Sequence, residues 1–297
     1  VAKHHAAGEK EVWGVPWLAD ARGIYYRREW LAQAGVDEQT AFRTHGDLVR
    51  TLETLEANGV KVPWSVPTRQ TVLTVHAIAS WVWGAGGRFL HPSGRELLLT
   101  QPEAIAGLKG YFDLRRFMPE VARGLAAPQA TALFTQGPAA ATIGGQWLAQ
   151  GFPPETTEQW GVSLMPGASF VGGSHLVMWQ YASPRNERTV LELVAFLSSQ
   201  NFQRTFAKPV GMLPVRLDVL NEELITGHRI FSVFGTALRS GRTFTTSLRW
   251  GLVEDKLNET FGMIWADLLA DPKADTVMVI QKHLEPTVSR LNATLSR

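Results

Sequence analysis

Between Ser169 and Met178 the chain reads SFVGGSHLVM, with Trp179 behind it: an apolar run broken by the adjacent glycines Gly172 and Gly173. Unbroken, such a run would be a buried strand. Glycine inside a strand marks a bulge or a point where another backbone or a ligand comes close. Ser174 and His175 follow at once and add a hydroxyl and an imidazole beside backbone N–H groups that no Cβ shields. Two readings fit: a tight bend between core strands, or a cleft wall suited to a neutral ligand with many hydroxyls.

Composition narrows the classes open to the chain. It has 29 basic and 27 acidic side chains, a formal net charge of +2, and its charges are dispersed. Neither nucleic acid nor a membrane surface is indicated by such a balance. Cysteine is absent, which removes disulfides, thiolate nucleophiles and cysteine-ligated zinc. His4 and His5 are adjacent and lack helical metal-site spacing. There is no apolar run of about 18 residues to span a membrane, and VAKHHAAGEK lacks the apolar core of a signal peptide. The unusual feature is 11 tryptophans against 4 tyrosines. An indole offers a flat apolar face that stacks on the C–H face of a sugar ring, although most tryptophans serve the core.

Catalytic signatures are missing. HExxH, GxSxG, GxxxxGK[ST] and a strand-to-helix GxGxxG do not occur. Among the acids only Asp20 sits in a glycine- or aromatic-framed setting, so a carbohydrate-active enzyme is the weakest reading.

Five stretches, GVPWLADARGIYYRREWLAQAG, LFTQGPAAATIGGQWL, WGVSLMPG, SFVGGSHLVM and GMLPVR, follow one another in this order. Their order and spacing resemble the extracellular solute-binding proteins of ABC-type sugar importers, family 1, from about Val12 to the C-terminus. The resemblance implies an α/β fold of the periplasmic-binding-protein type II, two lobes joined by a hinge with a ligand cleft between them. One lobe would hold residues 20–167 and 250–297; the other would hold residues 1–19 and 168–249. Family members carry a further segment before the equivalent of Val12, so the opening strands of the second lobe are expected to lie outside this chain. The implied function is capture of a mono- or oligosaccharide and its presentation to the membrane permease. A periplasmic or extracellular location, a monomer and no cofactor are expected, with any lipid anchor in the preceding segment. The runner-up is a truncated scaffold or sensor without a transport role; a paired or upstream segment supplying the rest of the lobe would separate the two.

The resemblance and the residues together give the candidate ligand contacts. Val12–Trp17 reads as a strand ended by Pro16 and the turn LAD, with Trp17 reaching the cleft; Asp20 is either a turn residue or a partner for a sugar hydroxyl. Trp64, in a short strand bracketed by prolines, and Trp83, at a helix end before GAGG, are candidate cleft aromatics. Trp147 follows Gly144 and Gly145 and is the preferred stacking residue, against the alternative of a core tryptophan. Gly172, Gly173, Ser174 and His175 form the polar wall. Met212 and Arg216 lie in GMLPVR, Arg216 being equally readable as a surface ion pair. Trp250 opens a late helix. His76 reads as a structural histidine, while Arg22, Arg216 and Asp20 would favour a charged substituent over the default neutral sugar.

Helix signals frame these sites. Thr44 to Asp47 fits a capping box before Leu48, Leu52 and Leu55, and Thr100 to Glu103 suggests a second one. Ser183-Pro184 starts a helix carrying Val190, Val194 and Leu197. Phe231–Thr246 shows no clean period. Helical spacing returns at Val253, Leu257, Phe261, Ile264 and Leu268, and again from Ile280 to Leu295.

Overall fold

The glycine-broken strand finds its partner at the start of the chain. The computed structural model describes residues 14–152, 154–178, 184–206, 209–222, 225 and 227–296; the expectations for Val12, Trp179 and the Ser183 cap lie outside them. Its strands are β1 (Val15–Ala21), β2 (Gly23–Arg27), β3 (Val62–Ser65), β4 (Ala139–Gly144), β5 (Trp160–Leu164), β6 (Val171–Leu176) and β7 (Leu213–Pro214). Among the described residues two sheets form, a three-stranded one in the order β6-β1-β7 and a four-stranded one in the order β3-β4-β2-β5. The first is antiparallel; in the second β2 runs antiparallel to both neighbours and β3 is parallel to β4. Only Arg22 separates β1 from β2, so one continuous segment crosses from sheet to sheet.

Composition explains why the second sheet is covered. In β2, Ile24, Tyr25 and Tyr26 are all buried, and the neighbouring β4 contributes the small residues Ala139, Ala140 and Ala141, all fully buried. A strand buried on both faces needs helices over it. Among the described residues the helices are α1 (Arg28–Gln33), α2 (His45–Ala57), α3 (Val72–Gly84), α4 (Pro102–Phe112), α5 (Ala127–Thr135), α6 (Pro184–Leu197), α7 (Gln200–Phe206), α8 (Leu217–Leu220), α9 (Arg229–Ser240), α10 (Trp250–Ala270) and α11 (Thr276–Leu295), of which α2, α5 and α9 lie against the four-stranded sheet. The α2 cap forms as the sequence implies, with Thr44 Oγ1 accepting from Asp47 N–H and Asp47 accepting from Thr44 N–H.

The second capping box does not form. Gln101, not Thr100, is the N-cap of α4 and makes no side-chain cap bond; Pro102 occupies the first turn. Beyond it, Gly107 lets α4 press on α3, because a Cβ there would stand 2.6 Å from the Trp81 carbonyl oxygen and the Val82 Cα. The close approach completes an aromatic cluster of Trp81, Tyr111, Phe112, Phe261 and Trp265 between α3, α4 and α10, rings meeting mostly edge to face.

Two expectations for local structure are corrected. The strand at Val15 is not ended by Pro16: β1 continues through the LAD residues, and a register irregularity between Pro16 and Leu18 absorbs the missing proline N–H. The segment without a clean period contains α9, whose Ile230, Phe231, Phe234 and Ala237 are buried. Ser232, Val233, Gly235 and Thr236 dilute its helical propensity, and tertiary contact overrides this. The helix lies against β1 and β7 of one sheet and β2 and β5 of the other, with Phe234 5.9 Å from the Tyr25 ring.

Candidate functional site

A cavity of about 750 Å³ opens along the β6-β1-β7 sheet between that sheet and the start of α10. Ligand pockets of small molecules fall in this size range. Its wall contains Asp20 from β1, Gly172, Gly173, Ser174 and His175 from β6, Met212 ahead of β7, and Trp250. Seven of the residues singled out from sequence thus meet in one place. Their convergence follows from pairing: Asp20 stands opposite Gly172, Ala19 opposite Gly173, and Leu18 opposite Ser174.

Gly173 earns its place by backbone conformation. Its φ is +143°, and a Cβ would lie 2.1 Å from the Leu18 carbonyl oxygen. A side chain would therefore break the β1–β6 approach that aligns Asp20 with the glycine wall. Beside it, His175 Nε2 is buried and finds no hydrogen-bond partner among the described residues.

Aromatic rings close the opposite side. Trp250 stacks on Phe244 at 4.2 Å, Phe244 meets Phe170 at 5.0 Å, and Phe170 stacks on the His76 ring at 4.0 Å. All four line the cavity together with Glu254. Trp250 is the aromatic found from sequence; Phe170, Phe244, His76 and Glu254 are not. A usable signal exists for Glu254, which follows Trp250 by one helical turn and so shares its face.

Behind this wall runs a chain of polar contacts. Arg22 Nη1 donates to Asp20 Oδ2 at 2.7 Å, and Arg22 Nη2 donates to His76 Nδ1 at 2.8 Å. A guanidinium only donates, so Nδ1 carries the lone pair and His76 is neutral. Its proton sits on Nε2, which donates to Glu254 Oε1 at 3.0 Å. Burial, with help from the Arg22 charge, holds the His76 pKa below the usual imidazole value against the opposing Glu254 hydrogen bond. Arg22 itself is 3% exposed, its guanidinium lying 4.7 Å from the Trp147 ring centroid and 5.4 Å from that of Phe170.

The other expected contacts lie elsewhere. Trp64 is fully buried in the core because β3 packs beneath α2 and α5. Trp83 leans on Phe89 and Phe244 and backs the aromatic wall from outside the cavity. Trp147 covers Arg22 instead of lining the cavity. Trp17 stacks on Phe206 at 5.8 Å, and Arg216 pairs with Asp218 at 2.6 Å at the surface. Gln146, unremarked in the sequence, is fully buried and pins β1, accepting from Ala21 N–H and donating to the Ala19 carbonyl. Among the described residues no cluster of three or more histidines and acids is arranged to hold a metal ion, and no helix is long and apolar enough to cross a membrane.

Comparison with known proteins agrees with this architecture. Comparison with curated protein sequences finds no match. Among solved structures, the maltose-bound MalE3 of T. maritima is similar over 97% of this chain and 74% of its own, with a TM-score of 0.81 and 21% identity. An ABC transporter solute-binding protein of Thermotoga lettingae TMO bound with α-D-tagatose matches 98% of this chain and 74% of its own, with a TM-score of 0.81 and 19% identity. UgpB of Mycobacterium tuberculosis, in complex with glycerophosphocholine, covers 96% and 73% at a TM-score of 0.76 and 19% identity. The fold is that of the MalE-type periplasmic binding proteins. The profile of the family described as bacterial extracellular solute-binding protein matches residues 3–203. With two thirds of its length inside that match, the chain belongs to the bacterial extracellular solute-binding proteins.

Proposed function

We propose that this protein is the sugar-capturing component of an ABC importer, and that the sugar sits in the cavity between β1, β6 and the start of α10. The observation that carries this reading is the meeting, in one cavity, of a carboxylate, a glycine-rich strand with Ser174 and His175, and the Trp250–Phe244 ring pair. Hydroxyl groups need the former and the C–H face of a pyranose the latter. Maltose and α-D-tagatose, found in two of the similar structures, have this chemistry.

In this reading the four-stranded sheet with α10 and α11 forms the core of one lobe, residues 20–167 and 250–297, and the three-stranded sheet belongs to the other, residues 1–19 and 168–249. The crossing at Arg22 and the helix α9, which lies on both sheets, are where a hinge would act. A ligand touching both Asp20 and Trp250 favours the closed form by contacts that the open form lacks. The closed monomer then docks on the permease subunits outside the cytoplasmic membrane; neither catalysis nor nucleic acid enters the mechanism.

A second reading rests on the exposed apolar residues Leu191, Leu193 and Phe196 of α6 with Val177 and Leu217. They favour a lobe that pairs with a further segment and serves as a scaffold or sensor. A thermal-shift scan against mono-, di- and trisaccharides tests both. A sugar at a hundred times its dissociation constant adds about 2.7 kcal/mol to the folded state. A shift with one sugar class supports transport; a cooperatively melting protein that responds to no sugar supports the scaffold.

A further inference from the structure

The contacts from Asp20 through Arg22 and His76 to Glu254 tie two carboxylates of the cavity wall from behind. Each gives up one oxygen, Asp20 Oδ2 to Arg22 and Glu254 Oε1 to His76. Among the described residues, Asp20 Oδ1 and Glu254 Oε2 accept no hydrogen bond, and both side chains line the cavity. The side chains are 15% and 25% exposed, so they are partly desolvated without being sealed.

Charge along this chain is uneven. Arg22 balances one carboxylate, while His76 is held neutral by the guanidinium that faces its Nδ1. The Asp20–Arg22–His76–Glu254 unit therefore carries one net negative charge, and its unsatisfied oxygens can only accept hydrogen bonds. The rings beside it, Phe170, Phe244 and Trp250, present negative faces that also repel anions. Arg239, a cation elsewhere in the lining, is bound to the Asn221 side chain and the Gly235 carbonyl.

We propose that Glu254, oriented by His76, is a second ligand-contacting carboxylate, and that with Asp20 it restricts the ligand to hydrogen-bond donors, hydroxyl or ammonium, while rejecting sugars that carry a carboxylate or phosphate at this end. The inference rests on the sugar-binding reading and adds a substrate class to it. His76 is a positioning residue: it aims Glu254 and does not touch the ligand through its ring nitrogens, both of which are engaged.

The test is isothermal titration of the full chain with matched neutral, amino and uronic sugars: glucose, glucosamine and glucuronate, and the β-1,4-linked disaccharides cellobiose, glucosamine dimer and cellobiouronate. Neutral or amino sugars are expected to bind at least about tenfold more tightly than their uronic counterparts, since a charge-assisted hydrogen bond is replaced by repulsion between like charges. The neutral and amino arms decide whether hydroxyl or ammonium is the donor. Glu254→Gln is expected to weaken the preferred sugar about tenfold and to narrow the gap to the uronic one, with an unchanged melting midpoint. His76→Leu should reproduce that loss, and His76→Gln, which keeps a donor toward Glu254, should recover part of it. Uronic sugars that bind as tightly as neutral ones, or Glu254→Gln with full affinity and full discrimination, would overturn this inference alone. Silence across the whole panel would overturn the sugar-binding reading and this inference with it.

Discussion

Replacing Arg22 by methionine isolates the part of the site that the fold depends on. Arg22 is 3% exposed, pairs with Asp20 at 2.7 Å, donates to His76 at 2.8 Å, and its guanidinium lies 4.7 Å from the Trp147 ring centroid and 5.4 Å from that of Phe170. Methionine keeps the apolar stem and volume but removes the charge and every donor. Breaking one side of a buried pair costs about 3–5 kcal/mol, because the other charge is left without compensation. Asp20 lies on the cavity wall within reach of water, which places the cost near the lower bound, about 3 kcal/mol. Unfolding entropy of about 2.1 cal/mol/K per residue gives about 0.6 kcal/mol/K for this chain, so the melting midpoint should fall by about 5 °C. The assay is a thermal melt of four proteins: parent, Arg22→Met, Asp20→Asn and the double variant. The double variant should be more stable than Arg22→Met, since its asparagine no longer holds an unpaired charge. An Arg22→Met midpoint within 1 °C of the parent by the scale above, or strictly additive losses, would refute the claim that the pair is coupled.

Other consequences follow from burial, backbone and titration. Trp64→Ala should cost about 3–5 kcal/mol in urea unfolding, as expected of a large side chain removed from a core, and leave sugar affinity of the folded fraction unchanged; Arg216→Ala should move neither quantity. Gly173→Ala forces a Cβ against the Leu18 carbonyl and a positive φ on alanine, and should destabilise by at least about 1–3 kcal/mol in the same assay. His45 and His76 are both held below the ordinary histidine pKa, burial being the first cause in each. The unfolded chain therefore takes up protons near pH 6.5 while the folded one does so only at lower pH. Stability should be fully present above about pH 6.5 and decline as pH falls through the folded values; a melting midpoint flat from pH 7.5 to pH 5 in His45→Leu/His76→Leu, but sloping in the parent, confirms the source.

The glycine-rich wall was legible because its signal is local. A double glycine inside an apolar run, followed by Ser174 and His175, states its geometry within a few residues, and pairing with β1 brings Asp20 into line without further information. Met212 was legible through the GMLPVR stretch, and Trp250 through its place at the start of a helix. The polar chain behind the wall was not, since His76 and Glu254 are 178 positions apart and neither has a sequence neighbour that reports the other. Tryptophan content misled for a physical reason: a large indole is as useful to a core as to a cleft, and Trp64 sits wholly in the former. Trp147 shows the intermediate case, a ring that serves the site by covering Arg22. In the fold, α10 and α11 announce themselves by spacing, whereas α9 is helical because two sheets press on it.

The most direct test of the account is an isothermal titration of the sugar giving the largest thermal shift, performed on the parent and on Trp250→Ala. Trp250 lines the cavity from the first turn of α10 and packs, half-buried, against Phe244 at the edge of the core, so a thermal melt of the variant accompanies the titration to separate a lost contact from a lost fold. Saturable one-to-one binding is expected, with a negative heat-capacity change from apolar burial, weakened by at least about tenfold in the variant, the loss typical of a central aromatic contact. Full affinity in Trp250→Ala would contradict the placement of the sugar between β6 and the start of α10.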